Sequence, residues 1–215
     1  MRRRSAIVTI LLGLVPAAVD AQVKPTATQQ LITPRAFVGF GITQFLAGDT
    51  FEAVFGDAKG ATWTAGGQFL LRRGFFVELG VERFRRTGQR VFVFEGVVIP
   101  LGVADTVTIT PITAMAGFRF AWGRRVVPYV AGGVGSYLLR EESAFAVTGD
   151  NVDSHHVGYL FALGSEFRIV GMLGVAGELQ FASVPDGLGD HGVSHEFAET
   201  NLGGRSLRVK FVIGR

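Results

Sequence analysis

Cysteine is missing from all 215 residues. No disulfide can form, so an exported form of this chain would be held by its sheet alone. Charge is scarce as well, with Lys, Arg, Asp and Glu at 18% against a usual share of roughly one quarter. Beyond residue 21 no stretch offers the roughly 18 uncharged apolar residues of a spanning helix, which argues against a helical membrane protein. Histidine is held to four residues. What the chain has instead is 30 glycines, 19 phenylalanines and a hydrophobic share of 48%. That is a strand-rich composition, at a length suited to one domain.

The first 21 residues stand apart. Arg2, Arg3 and Arg4 precede the largely apolar Ala6–Val19, and Val19-Asp20-Ala21 puts small residues at the −3 and −1 positions before Gln22. Met1–Ala21 is therefore expected to be a cleaved signal peptide, its apolar run being too short to span a bilayer. No cysteine follows it to carry a lipid anchor. Without residues 1–21, which hold three Arg and one Asp, 18 of the 21 basic and 17 of the 18 acidic residues remain, a net charge of +1. The precursor's pI of 9.7 thus belongs largely to the leader and makes no case for a nucleic-acid partner. Gln22–Pro34, polar with two prolines, reads as a short N-terminal periplasmic segment, and the domain proper is expected from Arg35 to Arg215.

A period of two dominates that domain, the mark of strands. In His156–Ser183, Tyr159, Phe161, Leu163, Phe167 and Ile169 alternate with Gly158, Ala162, Gly164, Glu166 and Arg168. Across the tight turn Val170-Gly171-Met172, Leu173, Val175, Leu179 and Phe181 alternate with Gly174, Ala176, Glu178 and Gln180. Further strands are expected at Arg35–Ala47, Ala61–Arg72, Phe75–Arg86, Thr106–Trp122, Val126–Arg140 and Gly204–Gly214. Pro111 suggests a bulge or the rim of the sheet. Thr87–Asp105 reads either as a strand extension or as a short hairpin inside a long loop. Gly48–Gly60, Glu141–His155 and Val184–Gly203 read as loops, so that long and short connections alternate. Eight strands of bilayer-crossing length, with both termini on the short-turn side, predict an eight-stranded antiparallel up-and-down transmembrane β-barrel.

Charge sorts by face. Glu78, Glu82, Glu166 and Glu178 share the polar parity with Arg119, Arg168, Arg208 and Lys210, while the opposite parity is nearly uncharged apart from Arg83 and Arg85. A soluble, lipocalin-like barrel would turn its aromatics inward, but eight strands cannot enclose so many Phe, Leu and Val side chains. The charges are therefore expected inside, where they need partners, giving a filled, salt-bridged lumen.

The signal peptide, the stretches GFFVELGVERFRRTG and VPYVAGGVGSY, and the closing SLRVKFVIGR resemble the small outer-membrane β-barrel domain proteins of Gram-negative bacteria. These are similar in architecture to the transmembrane domain of OmpA and to OmpX. The resemblance implies a place in the cell outer membrane, lipid and the barrel-assembly machinery as partners, a monomer, no cofactor and no shared enzymatic activity. Such proteins usually end on an aromatic residue read by that machinery, whereas here Phe211 is the last aromatic before Ile213-Gly214-Arg215. A structural or interaction role in the cell envelope is expected, with a small porin for ions or small solutes as the alternative. His155, His156, His191 and His195 fall in or beside loops with Asp150, Asp153, Asp186, Asp190, Glu196 and Glu199. These types could ligate a divalent metal, and Ser194–His195 or Asp190–His191 could serve a rim hydrolase, but a solvated loop accounts for them more simply. No catalytic, cofactor or metal residue is therefore assigned. Gly132-Gly133-Val134-Gly135 and Gly203-Gly204 lack the context of a phosphate loop and suit strand packing and curvature.

Overall fold

The computed structural model describes residues 32–94, 96–120, 125–143, 152–188 and 193–214. The signal peptide, most of the segment before Pro34, and Asp150, Asp190 and His191 lie outside them. Eight strands form one closed antiparallel barrel in chain order: β1 (Thr33–Phe45), β2 (Lys59–Leu70), β3 (Phe75–Phe94), β4 (Val97–Arg119), β5 (Val126–Ser143), β6 (Val152–Val170), β7 (Leu173–Ser183) and β8 (Gly204–Gly214). β1 pairs with β8 from Arg35↔Gly214 to Phe45↔Gly204, which closes the ring and removes its edges.

The two ends differ. The start of β1, the end of β8 and the β2–β3, β4–β5 and β6–β7 connections share one, the turn end. Gly171, at φ +55, lets the chain reverse between β6 and β7, just past a bulge between Arg168 and Val170. The opposite, helix end carries α1 (Gly48–Phe55) after β1 and the single turn α2 (Val193–Glu196) before β8. The Gly48–Gly60 segment is thus not all loop. Phe51 and Phe55 recur at i, i+4, and their rings, 5.6 Å apart, meet on the face turned to the barrel. Asp49 and Thr50 donate their backbone N–H to Glu199, at 3.2 and 2.8 Å. At the other end of α1, Arg86 donates to Phe55 O at 3.0 Å and to Lys59 O at 2.6 Å, with its guanidinium over the Phe55 ring.

Of the two readings of Thr87–Asp105, the strand extension holds. β3 and β4 stay paired to Phe94↔Val97, with one irregularity between Gln89 and Val91, so only residues 95–96 connect them. β-Branched residues and the Thr87–Thr106 hydroxyl pair at 2.9 Å carry the ladder beyond the barrel wall. The long–short alternation of connections fails here. It is also shortened between β5 and β6, whose pairing absorbs Glu141 and Val152–His155 from the expected loop. Pro111 marks neither a bulge nor a rim. It is buried within β4, pairs with Tyr137, and the β3–β4 ladder lapses around it at unchanged register because proline offers no N–H.

Alternation decides inside from outside. Tyr159, Phe161, Leu163, Leu79, Ile112 and Phe211 all point outward and exposed, as do Trp63 at 69% and Leu207 at 66%. Near the turn end Phe75, Phe118 and Phe120 pack edge to face, with ring centroids 5.2 and 5.1 Å apart. A continuous apolar belt of this size marks a surface that meets lipid or another apolar partner. The barrel interior holds the polar parity, and no helix among the described residues is long and apolar enough to cross a membrane.

Candidate functional site

Inside the barrel, cations and carboxylates interlock in two groups. Lys210, on β8 and 1% exposed, donates from Nζ to Glu78 Oε1 and to Glu178 Oε2, each at 2.7 Å. Its ammonium also lies 4.7 Å from the centre of the Phe37 ring. Two residues earlier on the same face, Arg208 donates to Glu82 Oε2 at 2.8 Å and, through Nη2, to Glu178 and Gln180. Tyr129 closes the circuit by donating to Glu178 Oε2 at 2.8 Å, and Gln68 Nε2 donates to Glu78. Tyr129 reaches this far because residue 164 is glycine: a Cβ there would sit 2.5 Å from the phenol.

The second group lies nearer the turn end. Arg35 grips Glu166 with two hydrogen bonds of 2.8 and 2.7 Å, and Arg119 Nη1 donates to the same carboxylate at 2.8 Å. Arg168 is the correction to the expected set. Its side chain is 55% exposed and its Nε stands 4.0 Å from Glu166, because the bulge and turn that follow put it at the mouth. The inward place belongs to Arg35, two residues into β1, on the parity opposite Val38, Phe40 and Ile42. Arg35 therefore joins Arg119, Arg208 and Lys210 opposite Glu78, Glu82, Glu166 and Glu178, and among the described residues the buried charges of these two lumen groups balance at four and four. That balance matters because an unpaired buried charge costs several kcal/mol. Arg35 Nε, Arg119 Nη2, Arg208 Nε and Gln68 Oε1 are buried without a hydrogen-bond partner.

Apolar layers separate these polar groups and cover them. Phe76, Met115, Leu160, Ala162 and Ala176 pack with the Tyr129 ring in one cluster. Towards the helix end the hydroxyls of Thr43 and Ser206 meet at 2.7 Å. Above them Phe45, Phe51, Phe84, Ile109, Tyr137, Leu139, Val184 and Leu202 form an apolar cap, with Phe45 stacked on Phe51 at 4.0 Å. A cavity of about 30 Å³ remains between cap and charges, with Thr43, Thr62, Glu82 and Gln180 among its lining. That is room for one or two waters.

The histidine-bearing segments are less convergent. His155, expected at the end of a loop, lies with His156 on β6, and His156 Nε2 is 3.0 Å from Ser154 Oγ. Asp153 pairs with Arg140 at 3.2 Å, and Glu199 is committed to α1. Ser194 is buried and donates to Leu188 O at 3.4 Å, whereas its neighbour His195 is exposed. No group of three metal-ligating side chains occurs among the described residues.

No family model matches the chain, and no curated protein does. Solved structures do resemble it. A major outer membrane protein from Thermus thermophilus superposes with a TM-score of 0.59 at 10% identity, over 86% of this chain and 99% of that one. Neisserial surface protein A does so with a TM-score of 0.52 at 10% identity, over 86% and 97%. The fold is that of the small outer-membrane β-barrels. At such identity the likeness speaks for architecture, and the chemistry rests on the residues above.

Proposed function

We propose that this chain is an outer-membrane barrel of the cell envelope, exported by its signal peptide, with a lumen that serves as scaffold and a helix end that faces outward to make contacts. The observation that carries the reading is the inversion of an ordinary soluble fold. An apolar belt lies outside, and a balanced set of four acids and four bases lies inside. Lipid is the partner such a belt requires. The four-and-four lumen has little use except to hold strands together, since each carboxylate spends its lone pairs on cations from other strands. The turn end, with its short connections and both termini, then faces the periplasm.

The test is refolding of the mature chain into lipid bilayers, with unboiled against boiled gel mobility reporting folded insertion and planar-bilayer recording reporting conduction. Inserted, heat-modifiable protein without steady conductance is the expected result. Steady conductance altered by Arg208→Ala would make the chain a small porin, with water threading past the unpartnered guanidinium nitrogens. A mature chain that stays monomeric and folded without detergent would overturn the membrane reading altogether.

A further inference from the structure

A second cavity, outside the lumen, lies at the helix end. It has a volume of about 1050 Å³ and is walled by α1, the β3–β4 extension, the outer part of β5 and α2. Phe51, Phe55, Val91, Val93 and Leu139 make its surface largely apolar. Polar groups enter at a few points. Asp105 and Glu141 come from neighbouring strands and share a hydrogen bond, and Arg90 stands near them. Asp105 is only 4% exposed, yet its Oδ1 has no hydrogen-bond partner. Thr50 Oγ1, in α1 on the same wall, is likewise buried without one.

Two buried polar atoms without partners, a carboxyl oxygen and a hydroxyl, are costly in one apolar chamber unless something fills it, because each forfeits its hydration without a replacement bond. A chamber of this size is also in the range that takes up small organic molecules. We infer that this outer cavity binds an amphiphile, with its hydrocarbon or aromatic body against the Phe and Val wall and a hydrogen-bond-donating head group, a hydroxyl or a primary ammonium, on Asp105. The orphaned atom dictates the polarity of the head. A carboxylate ion accepts and cannot donate, so it calls for N–H or O–H and repels a second carboxylate. Thr50 offers a further polar anchor in the same chamber. The inference stands whether or not the lumen conducts.

Methyl-labelled protein in lipid nanodiscs allows a site-resolved test with octylamine, octanol and octanoate as probes. Octylamine or octanol is expected to shift the methyls of Val91, Val93 and Leu139 saturably, and octanoate to do so far more weakly. Asp105→Asn should weaken the effective donor probe by about tenfold or more, the loss of one charge-assisted hydrogen bond. A response of octanol alone, or of octylamine alone, identifies the head group. Shifts confined to the lipid-facing Leu163 and Leu207 would mean partition into the bilayer and overturn the inference, as would octanoate binding as well as octylamine. Thr50→Val is the companion variant should Asp105→Asn lose its heat-modifiable fold: weakened donor binding supports the site, and unchanged binding sinks it.

Discussion

Arg35 and Glu166, 131 residues apart, face each other with two parallel hydrogen bonds of 2.8 and 2.7 Å inside the barrel. The pair ties β1 to β6 across the lumen, where no backbone ladder joins them. Glu166 also holds Arg119, so the acid is shared and each base is not. Glu166→Gln should therefore strand two buried guanidinium groups and lower stability by about 3–5 kcal/mol. Arg35→Met, which leaves Glu166 with Arg119, should cost distinctly less. Urea unfolding in lipid vesicles ranks the two, and equal losses would contradict the shared-acid arrangement.

The apolar cap gives a second ranking. Phe84 is buried and packs against Phe45 with ring centroids 4.9 Å apart, against Phe51 at 6.1 Å and against Phe55 at 6.3 Å. Phe84→Ala should cost about 3–5 kcal/mol through lost contacts and the cavity left behind. Phe84→Leu, nearer in volume, should cost about half as much or less. Similar losses for both would show that the cap collapses around the gap.

The period-two pattern exposed the barrel and most of its interior because a strand has only two faces and each is committed to one environment. Arg35 obeys the same parity, opposite Val38, Phe40 and Ile42, but it stands at the very start of the strand, where alternation has few neighbours to mark a face. Arg168 shows where parity stops: an alternation assigns a face but not a depth, and a bulge beside Gly171 leaves that side chain at the mouth. Thr87–Gln89, Glu141 and Val152–His155 carry polar residues within paired strands, because beyond the apolar belt both faces can meet water. The outer cavity had no local signature. Asp105 and Glu141 meet only because β4 and β5 pair beyond the wall, at Val107↔Glu141 and Asp105↔Ser143.

α1 is fastened by groups distant in the chain, so it can be loosened without opening the barrel. Glu199 accepts the N–H groups of Asp49 and Thr50, standing in for the side-chain cap that Ala47 cannot supply. Glu199→Gln weakens those charge-assisted bonds and should cost about 1 kcal/mol, felt at α1. Hydrogen exchange of Phe51–Phe55 should quicken several-fold while the amides of β1 and β8 keep their protection. A uniform loss across the barrel would mean that the helix is part of the global fold.

Glu141 supplies a pH dependence at the helix end, beyond the level at which Arg83 and Arg85 end the apolar belt. Burial first, then the hydrogen bond and charge of Asp105, push its carboxyl up from 4.5 to about 7, with Arg90 pulling the other way. His195, on α2, lines the same chamber. A carboxyl raised in the folded state keeps a proton that the opened strands release, so opening is favoured as pH rises. The stabilisation is complete below about pH 4.5 and is lost as pH climbs through 7. Exchange protection of Thr106, Val107 and Leu139, corrected for intrinsic rates, should therefore fall between about pH 5 and pH 8. In Glu141→Gln, which keeps the hydrogen bond to Asp105 but does not titrate, protection should stay flat over that interval. Protection that rises with pH in the parent chain would reverse the sign and remove Glu141 as its source.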